Sequence, residues 1–189
     1  MRFIHAAALV GALALSGCVD VDMTATIEGA DRASVSGHMT MQRQVLNMMG
    51  SEGTSFCPED EGGTLTLTDT EARCDVQSEG TFAEVFKSDP NEPTATAEDL
   101  GDGTVRVIFP FGAMGEQSAE MRNNPQAVAM MQPMFEGHTF TIRVAGAEIV
   151  STNGTLAEDG RSASFSFNLV DMLNPEVALP ENFETIVRY

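Results

Sequence analysis

The chain has 189 residues, with 10 Lys or Arg against 28 Asp or Glu, and its formal net charge is −18. This charge disfavours nucleic acid as a partner because phosphate binding needs clustered Lys and Arg, and the single lysine, Lys87, excludes a polybasic membrane patch. Hydrophobic residues make up 42% and charged residues 20%, which is typical of a chain that folds into one domain or two.

The N-terminus predicts export. An apolar run, Ala6–Leu15, follows a short cationic start and is shorter than the about 20 residues that span a bilayer. The tetrapeptide Leu15-Ser16-Gly17-Cys18 resembles the lipobox of bacterial lipoproteins, which implies a lipidated Cys18. We therefore predict a lipoprotein signal peptide over residues 1–17 and a single lipid-anchored domain over 18–189. An ordinary secretory signal with an incidental cysteine is the alternative.

The residue after Cys18 bears on the membrane that the protein reaches. In the lipoprotein sorting scheme an aspartate there favours the inner membrane, so Val19 favours the periplasm-facing outer membrane. Asp20 and Asp22 lie just beyond, and they leave the inner membrane open as an alternative. The expected partners are the membrane, through the lipid, and a lipid or an envelope protein.

Two cysteines remain once Cys18 carries lipid, namely Cys57 and Cys74. A pair of cysteines in an exported domain predicts a disulfide. Closing a polar, glycine-rich loop of this length stabilises a fold by on the order of 3 kcal/mol. The alternative is a reactive thiol or a metal ligand, but the acidic and glycine neighbours of Cys57 provide no cation to lower its pKa.

Alternation of apolar and polar residues predicts strands along most of the chain. The predicted strands are Val19–Ile27, Ala33–Met41, a segment through Leu65 and Leu67, Ala72–Val76, Thr94–Glu98, Thr104–Phe109, and three closing strands through Phe140–Val144, Ile149–Thr152 and Ser162–Leu169. The dipeptide Asn153-Gly154 predicts a hairpin, and Asp159-Gly160 predicts another tight turn.

Helical spacing predicts short helices between these strands. The predicted helical segments are Gln42–Met49 ended by Gly50, Phe82–Phe86 ended by Pro90, and residues 112–135. In the last segment Asn124 is the expected cap, Pro125 suits the first turn, and Pro133 kinks or shortens the helix. The expected fold is α+β, a twisted antiparallel β-sheet with two or three short helices packed on one face.

Both ends of the chain carry a family resemblance. The segments Cys18–Thr24, Ser36–Met39, Val45–Met49, Ile149–Gly154, Asp159–Arg161 and Phe165–Phe167 resemble the LppM-like bacterial lipoproteins in their lipobox cysteine, strands and closing hairpins. This resemblance implies a periplasmic or surface-facing α+β domain on a lipid anchor with no assigned catalytic site. It identifies no functional residue besides the lipidated Cys18.

No catalytic motif is present. The sequence lacks a Gly-x-Ser-x-Gly elbow, a phosphate-binding glycine loop and a His-Glu-x-x-His motif, so we expect a protein that is not an enzyme and has no cofactor. His138 starts a predicted strand and is expected to be a solvated or edge histidine. Acidic groups at Glu59–Glu61, Glu98–Asp99 and Asp102 leave a loose calcium site as an alternative, although the regular calcium loop is absent.

Twelve methionines are the unusual feature. They fit core packing, a pliable apolar binding surface, or a Cu(I) site of His38, Met39 and Met41. The candidate ligand-binding residues share one segment: Met114, Met121, Met130, Met131, Met134 and Phe135. The first hypothesis is a non-enzymatic envelope lipoprotein that binds an apolar or lipid-like ligand, or a partner protein, through this segment. A purely structural module and a copper carrier are the alternatives, and no metal site is assigned.

Overall fold

A computed structural model of the chain describes four stretches of sequence. The described residues are 19–49, 56–57, 62–86 and 95–189. The predicted signal peptide, the lipidation site Cys18, and the helix-ending Gly50 and Pro90 lie outside them, as does the acidic group Glu59–Glu61.

Eleven strands and four α-helices form in the described stretches. The strands are β1 (Val19–Gly29), β2 (Arg32–Gln42), β3 (Gly63–Leu67), β4 (Glu71–Gly80), β5 (Thr96–Asp99), β6 (Thr104–Pro110), β7 (Thr139–Ala145), β8 (Glu148–Thr152), β9 (Thr155–Leu156), β10 (Ser162–Asn168) and β11 (Asn182–Arg188). The helices are α1 (Arg43–Met49), α2 (Phe82–Val85), α3 (Gly112–Arg122), α4 (Pro125–Phe135) and a 3-10 helix (Leu169–Leu173). The α+β class is confirmed.

The strands form two sheets, where the sequence predicted one. The first has seven strands in the order β3-β4-β2-β1-β7-β10-β9. Its neighbours are antiparallel except β1 and β7, which run parallel in a register that pairs Val21 with Phe140. The sheet is therefore mixed, because two strands distant in sequence both start at the same end of the sheet.

The second sheet has four antiparallel strands in the order β5-β6-β11-β8. Its strand β11 was not predicted, although Phe183, Thr185 and Val187 alternate on its buried face. The predicted hairpin at Asn153-Gly154 is wrong, since β8 pairs with β11 in this sheet while β9 pairs with β10 in the other. The dipeptide is a corner at which the chain passes between sheets. The turn at Asp159-Gly160 is confirmed, with Gly160 at φ 68°.

The main core lies between the two sheets. Ile27 and Val144 of the first sheet meet Val105, Val107 and Phe183 of the second in one buried cluster. Side chains of α2 belong to the same cluster. The central strands bury alternate residues, as the period-two pattern requires, whereas β3 and β9 at the edges of the first sheet are mostly exposed.

A second buried cluster surrounds a disulfide. Cys57 and Cys74 are bonded, as predicted, with their Cα atoms 5.5 Å apart. Met41 and Ala72 are buried beside them, and α1 packs against the cluster through Val45 and Leu46. The cross-link therefore ties the chain that follows α1 to β4, in a cluster separate from the main core.

Candidate functional site

The two helices that follow β6 form, with the 3-10 helix, a separate group that we call the helical lobe. It consists of α3, α4 and Leu169–Leu173, which contact one another more than they contact either sheet. The lobe starts from Phe111, which is buried. The centroid of its ring lies 5.0 Å from the ring centroid of Phe165 and 6.0 Å from that of Phe140. This aromatic contact fixes the lobe at one end of the seven-stranded sheet.

The start of α4 follows from its sequence. The Asn124 side chain accepts hydrogen bonds from the backbone N–H groups of Gln126 and Ala127, at 3.1 and 3.2 Å. Pro125 occupies the first helical position, where no N–H donor is needed. Both features are as predicted. Pro133 lies inside the helix, which nevertheless continues to Phe135.

Arg122 joins the lobe together. Its Nη1 donates to the Met172 carbonyl of the 3-10 helix at 3.0 Å and to Ser118 Oγ at 3.3 Å. Ser118 is buried and itself donates to the Gly115 carbonyl at 2.8 Å. Within the described residues, Arg122 has no carboxylate partner. Arg43 and Arg161 likewise form no ion pair with a carboxylate in the described stretches, so Arg122 differs from them in its contacts within the lobe.

An open cleft of about 570 Å³ lies between the three helices of the lobe. The residues that line it come from α3 and its C-cap, from α4, from the end of the 3-10 helix and from the segment just after it: Ala119, Arg122, Asn123, Pro125, Val128, Ala129, Gln132, Leu173 and Pro175. Most of this lining is aliphatic or proline, and Arg122 is its charged member. The cleft can hold a small molecule with apolar parts and a polar or anionic group.

The six predicted ligand-binding residues lie in the lobe, but none of them lines this cleft. Met130 is 64% exposed. The others, Met114, Met121, Met131, Met134 and Phe135, are half-buried. Pro125, Val128, Ala129 and Gln132 repeat at helical spacing and form the wall of the cleft that the methionine pattern did not indicate.

The N-terminal end of β1 meets the end of the lobe. Asp20 Oδ1 accepts a hydrogen bond from the Thr139 backbone N–H at 2.8 Å, and Asp20 Oδ2 lies 2.8 Å from His138 Nδ1. The backbone N–H of His138 donates to the carbonyl of Phe135, the last residue of α4. His138 is 7% exposed and precedes β7, which lies between β1 and β10, so the expectation of a solvated or edge histidine was wrong. Strand alternation could not reveal a partner more than a hundred residues away.

The outer face of the seven-stranded sheet carries paired charges. Asp22, His38 and Asp75 are register neighbours on β1, β2 and β4. Arg143 Nη1 lies 3.5 Å from Asp22 Oδ1, and Arg73 Nη2 lies 2.8 Å from Asp75 Oδ1. The hydrogen bond from Arg73 lowers the pKa of Asp75. In the stretches that the structure covers, no group of three His, Cys, Asp or Glu side chains is arranged to hold a metal ion.

The copper alternative needs His38, Met39 and Met41 to converge. Met41 is buried in the disulfide cluster and Met39 packs against it, both on the inner face of β2. His38 lies on the outer face next to Asp75, because neighbouring residues of a strand point to opposite sides. The three groups are therefore not brought together. The loose calcium alternative also has a simpler account, since Asp102 accepts a hydrogen bond from Thr104 and Asp99 one from Gly101 in a turn.

The fold is similar to that of one solved domain. The folded domain of the LppM protein of Mycobacterium tuberculosis, solved by NMR, matches with a TM-score of 0.50 and 17% identity, over 95% of each chain. The resemblance to the LppM-like proteins is thus confirmed as a likeness of fold. No protein-family model matches the chain, and no curated protein matches it. Among the helices of the described stretches, none is both long and apolar enough to cross a bilayer.

Proposed function

We propose that the protein is a non-enzymatic, lipid-anchored lipoprotein of the cell envelope whose helical lobe binds an apolar or lipid-like ligand. The observation that carries this proposal is the cleft between α3, α4 and the 3-10 helix. Its volume of about 570 Å³ falls within the range of about 300–1,000 Å³ that small-molecule sites occupy. It is also the feature that separates a ligand-binding lobe from a purely structural one.

The lining indicates the chemistry of the ligand. Val128, Ala129 and Leu173 offer aliphatic surface, which binds chains or rings by removing them from water. Arg122 uses Nη1 for its two internal hydrogen bonds, and a guanidinium has five N–H donors in all. Its remaining donors favour a ligand with an anionic group next to the apolar part.

The anchor rests on the lipobox-like end of the apolar N-terminal run. Several acyl chains on Cys18 would hold the protein firmly, since each buried methylene contributes about 0.8 kcal/mol. Val19, after the cysteine, favours the outer membrane, facing the periplasm. Because Asp20 contacts the end of the lobe, the same anchor would keep the cleft near lipid.

Binding of 1-anilinonaphthalene-8-sulfonate, an apolar anion, tests the site. The native protein should enhance its fluorescence saturably, and extraction of the protein as purified from membranes should release a lipid detected by mass spectrometry. Ala129→Trp should fill the cleft and abolish saturable binding, whereas Arg122→Gln should weaken it. Ala83→Trp, on the exposed side of α2, is the matched control and should bind as the native protein does.

Equal binding by Ala129→Trp and Ala83→Trp would refute the cleft as the site. A native protein that binds no probe and carries no lipid would leave the structural or interaction module, in which the lobe contacts a partner protein, as the better description. The first result concerns where a ligand binds and the second concerns whether one binds.

A further inference from the structure

The exposed side of α4 is uncharged. No residue from Asn123 to Phe135 is acidic or basic, although the chain has 28 acidic residues. No residue of α4 is buried. Gln126, Ala129, Met130 and Pro133 are all exposed and repeat at helical spacing, so they form one stripe. A methionine that is 64% exposed gains little from packing within its own chain.

This stripe lies at the anchored end of the molecule. Asp20 bonds to His138 and Thr139, and the His138 N–H donates to the last residue of α4. Two residues of chain span at most about 7 Å, so a lipid on Cys18 starts close to Asp20. The stripe and the anchor therefore belong to the same end of the fold.

Charge distinguishes the stripe from most of the surface, although the exposed Glu136 directly follows α4. A chain with a net charge of −18 is repelled from anionic headgroups over most of its surface. An uncharged stripe with an exposed methionine has no such penalty and can contact the headgroup region. The stripe is too small to hold a protein on a membrane alone, but a tethered helix binds at a high effective concentration.

We propose that the exposed stripe of α4 rests on the bilayer that carries the lipid anchor, so that the helical lobe faces the membrane and the two sheets point away from it. This inference rests on the proposed anchoring at Cys18. Pro125 and Ala129 are exposed residues of α4 that also line the cleft. In this orientation the cleft opens beside the headgroups, which provides a route by which a lipid leaves the bilayer and enters it.

The test places a fluorophore on the stripe of the full-length lipidated protein in phosphatidylcholine vesicles. Met130→Cys is labelled with a nitrobenzoxadiazole group, and quenching by phospholipids with nitroxides on their acyl chains is measured. Leu156→Cys is the matched control, because Leu156 is 52% exposed. It lies in β9, where it pairs with Ala163 of β10. The part of β10 from Ala163 to Asn168, where the strand reaches the lobe, is roughly 17 Å long at about 3.4 Å per residue.

The expected result is quenching several-fold stronger at position 130 than at position 156, since interfacial helices sit about 5–10 Å into the boundary between headgroups and acyl chains. Equal quenching at the two positions would overturn the orientation. So would a label at position 130 that is shielded from water yet not quenched, because that result indicates contact with a second copy. Flotation of the same vesicles on a density gradient separates the two ideas: protein that fails to float refutes the anchor, and with it the orientation.

Met130 is exposed, so its replacement should leave the fold intact. Thermal unfolding of both labelled proteins checks this. A Met130→Glu variant gives a second readout that needs no label. Its added charge should make vesicles containing anionic phosphatidylglycerol protect α4 less from hydrogen exchange than they protect the native helix. Unchanged protection would contradict the proposal.

Discussion

Gly154 occupies the corner where the chain leaves one sheet for the other, and the structure leaves no space there for a side chain. A Cβ atom at this position would lie 2.6 Å from Phe183 Cε2 and 2.6 Å from the Ser164 carbonyl oxygen. Optimal contacts between carbon atoms are about 3.5–4.0 Å. The backbone of Gly154 is not left-handed, so space rather than dihedral angle requires glycine.

We expect Gly154→Ala to lower the free energy of unfolding by about 3 kcal/mol, the upper part of the range for overpacked cores. For a domain of this size, that corresponds to a fall of about 6–12 °C in the melting temperature. Urea unfolding of the purified protein, followed by circular dichroism, measures the change. Phe183 is 1% exposed, so the corner cannot relax by moving the ring into solvent.

A double-mutant cycle identifies the cause. Phe183→Leu removes the ring edge that the new methyl group would meet, so the two substitutions should couple by about 1 kcal/mol or more. Gly160→Ala is the control. Gly160 has φ 68° and open space around its Cβ position, so it should cost about 1–2 kcal/mol through backbone strain and should not couple to Phe183.

Additive effects of Gly154→Ala and Phe183→Leu would refute the Phe183 ring as the cause of the destabilisation. They would leave the Ser164 carbonyl oxygen, which Phe183→Leu does not remove, or a turn conformation as the reason for glycine.

Three further predictions follow from single contacts. Reduction of the Cys57–Cys74 disulfide should lower the free energy of unfolding by about 3 kcal/mol, measured in urea with and without reductant, and no change would contradict the constraint. The backbone hydrogen bond from Thr81 lowers the pKa of Glu84 from 4.5, so the stability that this carboxylate adds is present above pH 4.5 and is lost as pH falls through its folded pKa. The advantage in melting temperature over Glu84→Gln should therefore shrink below pH 4.5, and a constant difference would count against it. Asp20→Ala should free the Thr139 amide and speed its hydrogen exchange, whereas unchanged protection would mean that Asp20 does not hold this end of the lobe.

Local residue patterns predict part of the candidate site but not the cleft. The helical segment after β6, the Asn124 cap and the Pro125 start were all predictable, because capping is local and depends on residues within three positions. The cleft was not predictable, since Leu173 and Pro175 come from a segment about fifty residues further along the chain. The number and spacing of the methionines indicated the segment, whereas the lining of the cleft consists of residue types that are common on helix surfaces.

The scarcity of basic residues in the sequence is a weak indication of a role for Arg122. It is one of 10 basic residues against 28 acidic ones, and a basic residue in such a chain is expected to have an acidic partner. Which basic residues lack one depends on their neighbours in space, and among the described residues these are Arg43, Arg122 and Arg161. Those neighbours become known only when the chain is folded.

Period-two alternation predicted most of the strands and their apolar sides. Composition predicted a chain that folds, and its charge disfavoured nucleic acid as a partner. Cysteine count and context determined the disulfide. The tertiary structure alone decided that the strands form two sheets, that β1 runs parallel to β7, and that Asn153-Gly154 is a corner. The corner is held by the Asn153 side chain, which bonds to β11 by donating to the Asn182 carbonyl and accepting from the Glu184 N–H. A strand can pair with any segment that presents free backbone groups, and local sequence records its faces but not its neighbours.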